Sequence, residues 1–266
     1  MLRKILKRIR QYGRSCAWKA RNQRFGSLLR KLKLSHTFAT GVRIDIQSMA
    51  DWTLYTDIFV SGEYDLAIRS ALEQAKGCCR VLDLGANVGF FAKRVIHIRR
   101  SEFPNVALDL ICIEGLPSTH MILQESFPRL LRSEKSTLLH GLAGERVGCA
   151  YIQSNPFHAM TSLVPGNRIS GVKVPFLDLQ SITNHWDDID LLKCDIEGSE
   201  ERFLHAYPEL IARTKTAVFE FHLDRVDRSI CRRRLSEGGL VVGATLHENK
   251  YISLELSHRR RTEQTI

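Results

Sequence analysis

Apolar positions change their spacing several times along the chain, and each change marks a different kind of element. In the first 33 residues the helical spacing occurs twice. Leu2, Ile5, Leu6 and Ile9, then Phe25, Leu28, Leu29 and Leu32, each follow i, i+3, i+4, i+7 along one helical face. Gly13 and Gly26 punctuate the stretch, so it need not form one straight helix. Lys and Arg fill the other faces. From about Val42 the texture changes: short β-like pieces span 42–46 and 54–60. A helical pattern over 64–76 follows, with Ala67, Ile68, Ala71, Leu72 and Ala75 on one face.

Beyond Gly77 strand-like and helical runs alternate. The strand-like runs are 80–84, 106–113, 137–142, 189–194, 217–221, 240–244 and 251–254, seven in all. The helical patterns lie at 90–100, 117–131, 200–212 and 226–237. Strands alternating with helices of this length predict an α/β fold, a doubly wound and mostly parallel seven-stranded sheet with helices on both faces. Such sheets take ligands beyond the carboxyl ends of their strands, where the strand order reverses. The expected division is a basic, amphipathic helical extension over 1–41 and one α/β domain over 42–266.

The net charge of +10 belongs almost wholly to that extension. Residues 1–44 hold thirteen Lys and Arg and no acid, which leaves 26 basic against 29 acidic residues in the remainder. A general nucleic-acid reading of the basic character therefore loses its support, and no specific nucleic-acid partner is expected. Two apolar stripes flanked by Lys and Arg fit an interfacial helix, so residues 1–33 are expected to meet an anionic membrane surface. An Arg-rich, acid-free start also fits a transit peptide, and a solvated or domain-packing helix is the plain alternative. No window approaches 18 apolar residues, which argues against a membrane-spanning helix. The seven cysteines have no metal-type spacing, and most sit in apolar runs as small hydrophobes. An odd count without a secretory signal points to a reducing compartment, the cytoplasm, with peripheral contact at the inner membrane face.

Four segments carry candidate chemistry. The first is Val81-Leu82-Asp83-Leu84-Gly85-Ala86-Asn87-Val88-Gly89-Phe90, an apolar strand with an acid near its end and a Gly-x-Asn-x-Gly turn into a helix. Its glycines allow a tight turn and close approach of a ligand, and N–H groups at the helix start can receive a carboxylate. The spacing is not the G-x-G-x-x-G of dinucleotide-binding turns. The second is Glu114, directly after Leu110-Ile111-Cys112-Ile113, where a carboxylate can accept both hydroxyls of a ribose. The third runs from Asp188 to Glu200, an apolar strand that emerges into Asp195 and Glu197. These two acids either orient and deprotonate an acceptor hydroxyl or complement the following helix; for Glu200 and Glu201 the helix-capping reading is preferred. The fourth is Val218-Phe219-Glu220-Phe221-His222. Glu220 is an acid in an apolar strand, costly to bury without a partner. His222 leaves on the same side by period-two alternation, as a structurally bonded residue or as a general base.

In this order the segments resemble the FkbM-type family of S-adenosylmethionine-dependent class I methyltransferases. The matching stretches are VLDLGANVGFFA from Val81, the acid of CIEG from Cys112, VPFLDLQSI from Val174, DLLKCDIEGSEERFL from Asp190 and VFEFH from Val218. Together they lie between about Tyr64 and His222, and the basic N-terminus is outside them. The resemblance implies the class I, Rossmann-like fold and S-adenosyl-L-methionine as cofactor. It implies that Asp83, Gly85, Asn87 and Gly89 line the methionine end and that Glu114 holds the ribose. It also implies O-methylation of a sugar, glycan or natural product. Two departures are His140, where an Asn is expected, and Cys194 in place of a small aliphatic residue.

Methyl transfer needs an aligned acceptor and exclusion of water, with a base to take the hydroxyl proton. Asp195, Glu197 and His222 are the candidates for that catalytic role. A divalent metal on the same acids would leave no spacing signature, and none is assigned. The expected partner is a small-molecule or glycan acceptor. The alternatives are a non-catalytic scaffold of the same fold that binds cofactor or glycan, or a membrane-surface protein driven by the basic segment.

Overall fold

The chain is described in a computed structural model over residues 26–29, 31, 32, 34–127, 134–153, 162–164 and 171–260. It opens on a hairpin, β1 (Leu34–Thr37) with β2 (Arg43–Ile46), in which Leu34 stands opposite Ile46. Ile44 and Ile46 of β2 are core residues, so the hairpin crosses the boundary expected at 41/42 and ties residues 34–37 to the domain. Residues 26–29, 31 and 32 are helical. Of the second expected apolar stripe, Leu29 is buried in the domain core while Leu28 and Leu32 are exposed. The rest of the proposed membrane-facing segment, residues 1–25, 30 and 33, lies outside the described residues.

Residues 54–60 differ from expectation. They are helical: α1 (Met49–Tyr55) runs directly into a π-helical turn, Thr56–Val60. The cause is a cap just upstream. Ser48 Oγ accepts the Asp51 N–H at 3.0 Å and Asp51 Oδ2 accepts the Gln47 N–H at 2.9 Å. This reciprocal pair starts a helix that outweighs the β preference of the Thr, Ile, Phe and Val residues that follow.

The domain continues as α2 (Asp65–Gln74), β3 (Cys78–Leu84), α3 (Phe90–Glu102), β4 (Ala107–Glu114), α4 (Pro117–Ser126) and β5 (Lys135–His140). A small antiparallel sheet follows, with β6 (Cys149–Gln153) between β7 (Ser162–Val164) and β8 (Val172–Pro175). Then come α5 (Leu179–Ile182), β9 (Ile189–Cys194), α6 (Glu200–Ala206), α7 (Pro208–Ala212), β10 (Thr214–His222), α8 (Arg228–Glu237), β11 (Leu240–Glu248) and β12 (Ile252–Arg259). The single helix expected over 200–212 is two, because Pro208 excludes the α conformation at the residue before it; Tyr207 sits at φ −128°, ψ 50°.

The main sheet has the order β11-β12-β10-β9-β3-β4-β5. β10, β9, β3, β4 and β5 are mutually parallel, and β12 runs antiparallel to β10 and β11. The chain thus builds outward from β3 to β5 and returns to place β9 on the other side of β3. Alternation along the interior strands sorts their side chains to two faces. Val81, Leu110, Cys112, Leu191 and Val218 pack with α2 and α3. Leu82, Ile111, Leu192, Cys194 and Phe219 pack with α6, α7 and α8. Both faces are covered, which is why these strands read as continuous apolar runs. This is the doubly wound, Rossmann-like seven-stranded arrangement expected from the sequence. Among the described residues no helix is long and apolar enough to cross a membrane.

Candidate functional site

The reversal of strand order opens a crevice at the carboxyl ends of β3, β4 and β9, the place where such sheets bind ligands. A cavity of about 660 Å³, counted with its open mouth, lies there; Asn87, Glu114, Leu116, Leu142, Ile152 and Asp195 line it.

One wall is the turn after β3. Gly85, Asn87 and Gly89 have φ of +77°, +51° and +83°. A Cβ on Gly85 would fall 1.8 Å from the Asp195 carbonyl oxygen, so the exits of β3 and β9 touch through backbone alone. The Asp195 N–H in turn donates to the Leu84 carbonyl at 3.1 Å. A Cβ on Gly89 would strike the side chains of Phe127 and Leu123. Close packing and the left-handed backbone therefore require glycine at both places, a structural demand the motif alone did not reveal. Asn87 tolerates the left-handed conformation, and its Oδ1 accepts the Val88 N–H at 2.8 Å.

Glu114 joins this wall to the end of β4. Its Oε2 accepts the Asn87 N–H at 2.9 Å, and its Oε1 accepts the Leu116 N–H at 2.7 Å. Burial pushes the carboxyl up, and the two backbone donors pull it back. Each carboxylate oxygen keeps a further lone pair, so a clip of this kind can still accept ligand hydroxyls. With Leu116, Leu142 and Ile152 beside it, the wall offers acceptors for a ribose and an aliphatic surface for a base. The residues present thus fit the nucleoside part of the cofactor that the resemblance implies. Gly85, Asn87 and Glu114 all border the cavity.

Asp83 does not. It is 0% exposed and does not border the cavity, where contact with the methionine end was expected. Its Oδ1 lies 3.4 Å from Lys193 Nζ. That ammonium, also buried, donates to the Gly85 carbonyl at 2.6 Å and lies 3.5 Å from Asp195. Burial works against the Lys193 charge, but Asp83, Asp195 and Glu220 hold its pKa above the ordinary lysine value. Burial likewise raises the Asp83 carboxyl, with Lys193 opposing. Asp83 therefore supports the turn from beneath, through a cation. Gly89 also lies off the cavity wall, at the start of α3.

Across the cleft the acids after β9 meet the end of β10. His222 Nε2 is 3.2 Å from Glu197 Oε2, and its Nδ1 is 3.1 Å from Glu200 Oε1. Glu220 Oε1 lies 3.9 Å from Nε2. Burial disfavours the imidazolium, yet hydrogen bonds to Glu197 and Glu200 raise the His222 pKa to about 11. Burial, reinforced by Asp195, pushes Glu220 up to about 8, and burial also raises Glu197. The expected trio of Asp195, Glu197 and His222 is thus brought into one cluster. Each ring nitrogen of His222 faces a carboxylate, so the protonated ring holds Glu197 in place and is not poised as a base while Nε2 keeps its proton.

Four neighbours were not singled out as site residues. Glu200 is 0% exposed and accepts the Ile196 and Gly198 N–H groups as well as facing His222. It therefore ties the turn before α6, where capping of the helix itself was expected, and also orients the imidazole. Glu220 carried a signal in the sequence, an acid between two phenylalanines, and so did Lys193 within an apolar strand. Arg225 carried none. It donates to the Glu197 carbonyl at 2.7 Å across a long sequence gap, and its side chain fills the space a Cβ on Gly198 would need. Of the two departures, His140 is bonded through Nε2 to the Gly115 carbonyl at 3.0 Å, and Cys194 is buried in the second core cluster.

No family model matches the chain, and no curated protein matches it in sequence. Solved structures do match in shape. The magnesium protoporphyrin IX methyltransferase of Synechocystis, with bound S-adenosylmethionine, is 11% identical at a TM-score of 0.46, over 78% of this chain and 84% of that one. TrmK of M. capricolum, in complex with S-adenosyl-homocysteine, is 7% identical at 0.41, over 73% and 67%. Likeness at this level adds no argument beyond the topology. The strand order, with its one antiparallel strand next to the edge, is by itself that of the class I methyltransferase fold.

Proposed function

We propose that the chain is an S-adenosylmethionine-dependent methyltransferase of the FkbM type, acting on a hydroxyl of a sugar, glycan or natural product. The observation that carries this reading is the cleft itself. A clipped carboxylate suited to ribose hydroxyls stands on one wall, and a cluster of acids stands across from it at the end of β9. When bound, S-adenosylmethionine supplies a methyl group already activated on a positively charged sulfur. Glu114 accepts the ribose hydroxyls through the lone pairs that Asn87 and Leu116 leave free. Leu142 and Ile152 exclude water from the wall they line. Asp195 and Glu197 orient the acceptor hydroxyl and take its proton as the oxygen is alkylated. His222 and Arg225 position Glu197, and Lys193 positions Asp195. The acids across the cleft favour a hydroxylated acceptor, whose protons they can accept.

The test is a transfer assay with cofactor carrying a carbon-13 methyl group and fractionated cell extract as acceptor pool. The expected product shows a methyl-ether resonance. Label found only on nitrogen or sulfur would overturn the hydroxyl assignment, and no transfer to any fraction would overturn the enzyme reading.

A further inference from the structure

Asp195, Glu220 and His222 each place one ligand-type atom within 4.8 Å of the other two. Three atoms at such spacing share a centre no more than roughly 2.8 Å from each, so modest side-chain shifts reach the ~2.0–2.6 Å of oxygen-coordinated divalent cations. Asp195 directly follows β9 and borders the cleft, while Glu220 and His222 lie in the adjacent parallel strand β10, behind it.

Two observations go beyond the presence of acids. The first is how the imidazole is held. His222 is 8% exposed, and the fully buried Glu200 faces its Nδ1, which turns Nε2 toward Glu197 at 3.2 Å and Glu220 at 3.9 Å. A carboxylate behind one ring nitrogen, fixing the ring so that the other points outward, is the arrangement by which proteins orient metal-binding imidazoles. The second is Glu220. Its side chain leaves the strand on the face opposite Phe219 and Phe221 and is 20% exposed; among the described residues its carboxylate accepts no hydrogen bond, and its ion contact is His222 at 3.9 Å. A cation beside it would find an acceptor whose lone pairs no protein donor uses. Five acids, Asp83, Asp195, Glu197, Glu200 and Glu220, share three cations, Lys193, His222 and the partly exposed Arg225.

We propose that Asp195, Glu220 and His222 form a site for one divalent cation of the Mn2+ and Mg2+ class, placed to coordinate the acceptor's hydroxyl oxygen. The role toward the acceptor rests on the methyltransferase reading; the cation site itself does not. Two carboxylates and one imidazole suit a cation that accepts oxygen and nitrogen ligands together. On binding, the cation takes the place of the Nε2 proton, which leaves to solvent. Glu197, which now faces that nitrogen, is then freed toward the acceptor.

The test is titration of Mn2+ into the chelator-treated full chain, followed by the loss of the free-ion electron-spin signal and by calorimetry. One ion per chain in the micromolar range is expected, with substoichiometric Mn2+ broadening the His222 ring resonances in the unaltered protein. Glu220→Gln and Asp195→Asn should each weaken binding about tenfold or more. Asp224→Asn, an exposed acid nearby, should not. Thermal melts establish that the variants fold, and the broadening measurement needs no variant. Absence of Mn2+ binding, binding without His222 broadening, or equal affinity in folded Glu220→Gln and Asp195→Asn would overturn the site. Mn2+ binding in a protein that transfers no methyl group would leave the site standing and remove the enzyme reading alone.

Discussion

Replacing Glu114 by Gln separates the two tasks given to its carboxylate. In the native protein the two oxygens accept the Asn87 and Leu116 N–H groups at 2.9 and 2.7 Å, in a residue that is 8% exposed. A carboxamide offers one acceptor oxygen and turns an NH2 toward the other donor. One backbone N–H is then buried without a partner, which costs about 1–3 kcal/mol. Urea unfolding should show that loss as a lower midpoint with unchanged slope. Binding should suffer separately. Losing a charge-assisted bond to a ribose hydroxyl costs about 1.5–3 kcal/mol, so calorimetry should find S-adenosylhomocysteine held roughly ten- to hundredfold more weakly. An analogue without the ribose hydroxyls should bind both proteins alike. If the variant loses stability but keeps its full affinity for S-adenosylhomocysteine, Glu114 is a clip for the turn and nothing more. If stability is also unchanged, the two backbone contacts do not exist as described.

Lys93 is 2% exposed, and burial pushes its pKa down to about 8, with Asp45 and Asp51 opposing. Its folded pKa lies below the unfolded 10.5, so the unfolded chain binds more protons between those values and stability rises with pH across that window, by up to about 3 kcal/mol. Below pH 8 that gain is absent, so Lys93→Met should be more stable than wild type at pH 7, with the difference shrinking by pH 10; urea melts at the two pH values showing a constant difference would refute this. Lys193→Met removes the buried partner of Asp83 and Asp195 and should cost about 3–5 kcal/mol. Adding Asp83→Asn should recover part of the loss in a double-mutant cycle, whereas simple additivity would show that the two residues do not interact.

Much of the architecture could be read from the sequence because its central strands are buried on both faces. The run 189–194 was expected as a strand and forms one with the same limits, since Ile189 to Cys194 is buried throughout. The start of α3 at Phe90 was equally legible, because Gly89 with its left-handed backbone stops any earlier helix. The errors have local causes. At 54–60 an upstream cap decided the outcome, and at 200–212 one proline did. The small sheet of β6, β7 and β8 was missed because each strand is only three to five residues long and pairs outside the main sheet. For the site, strand ends pointed to Glu114, Asp195, Glu197 and His222 as candidates, but spacing along a chain does not say which way a charge is neutralised. Asp83 turned out to lie beneath the turn on Lys193, and His222 between two glutamates. Both outcomes depend on contacts between strands that are distant in sequence.

The central claim is that the crevice between β3, β4 and β9 holds S-adenosylmethionine. Calorimetric titration of S-adenosylhomocysteine into the full chain tests it without knowledge of the acceptor. The account predicts saturable binding of one molecule per chain in the micromolar range, weakened in Glu114→Gln and unaltered in Asp224→Asn. No heat of binding at millimolar ligand, or binding that ignores the Glu114 substitution, would contradict it.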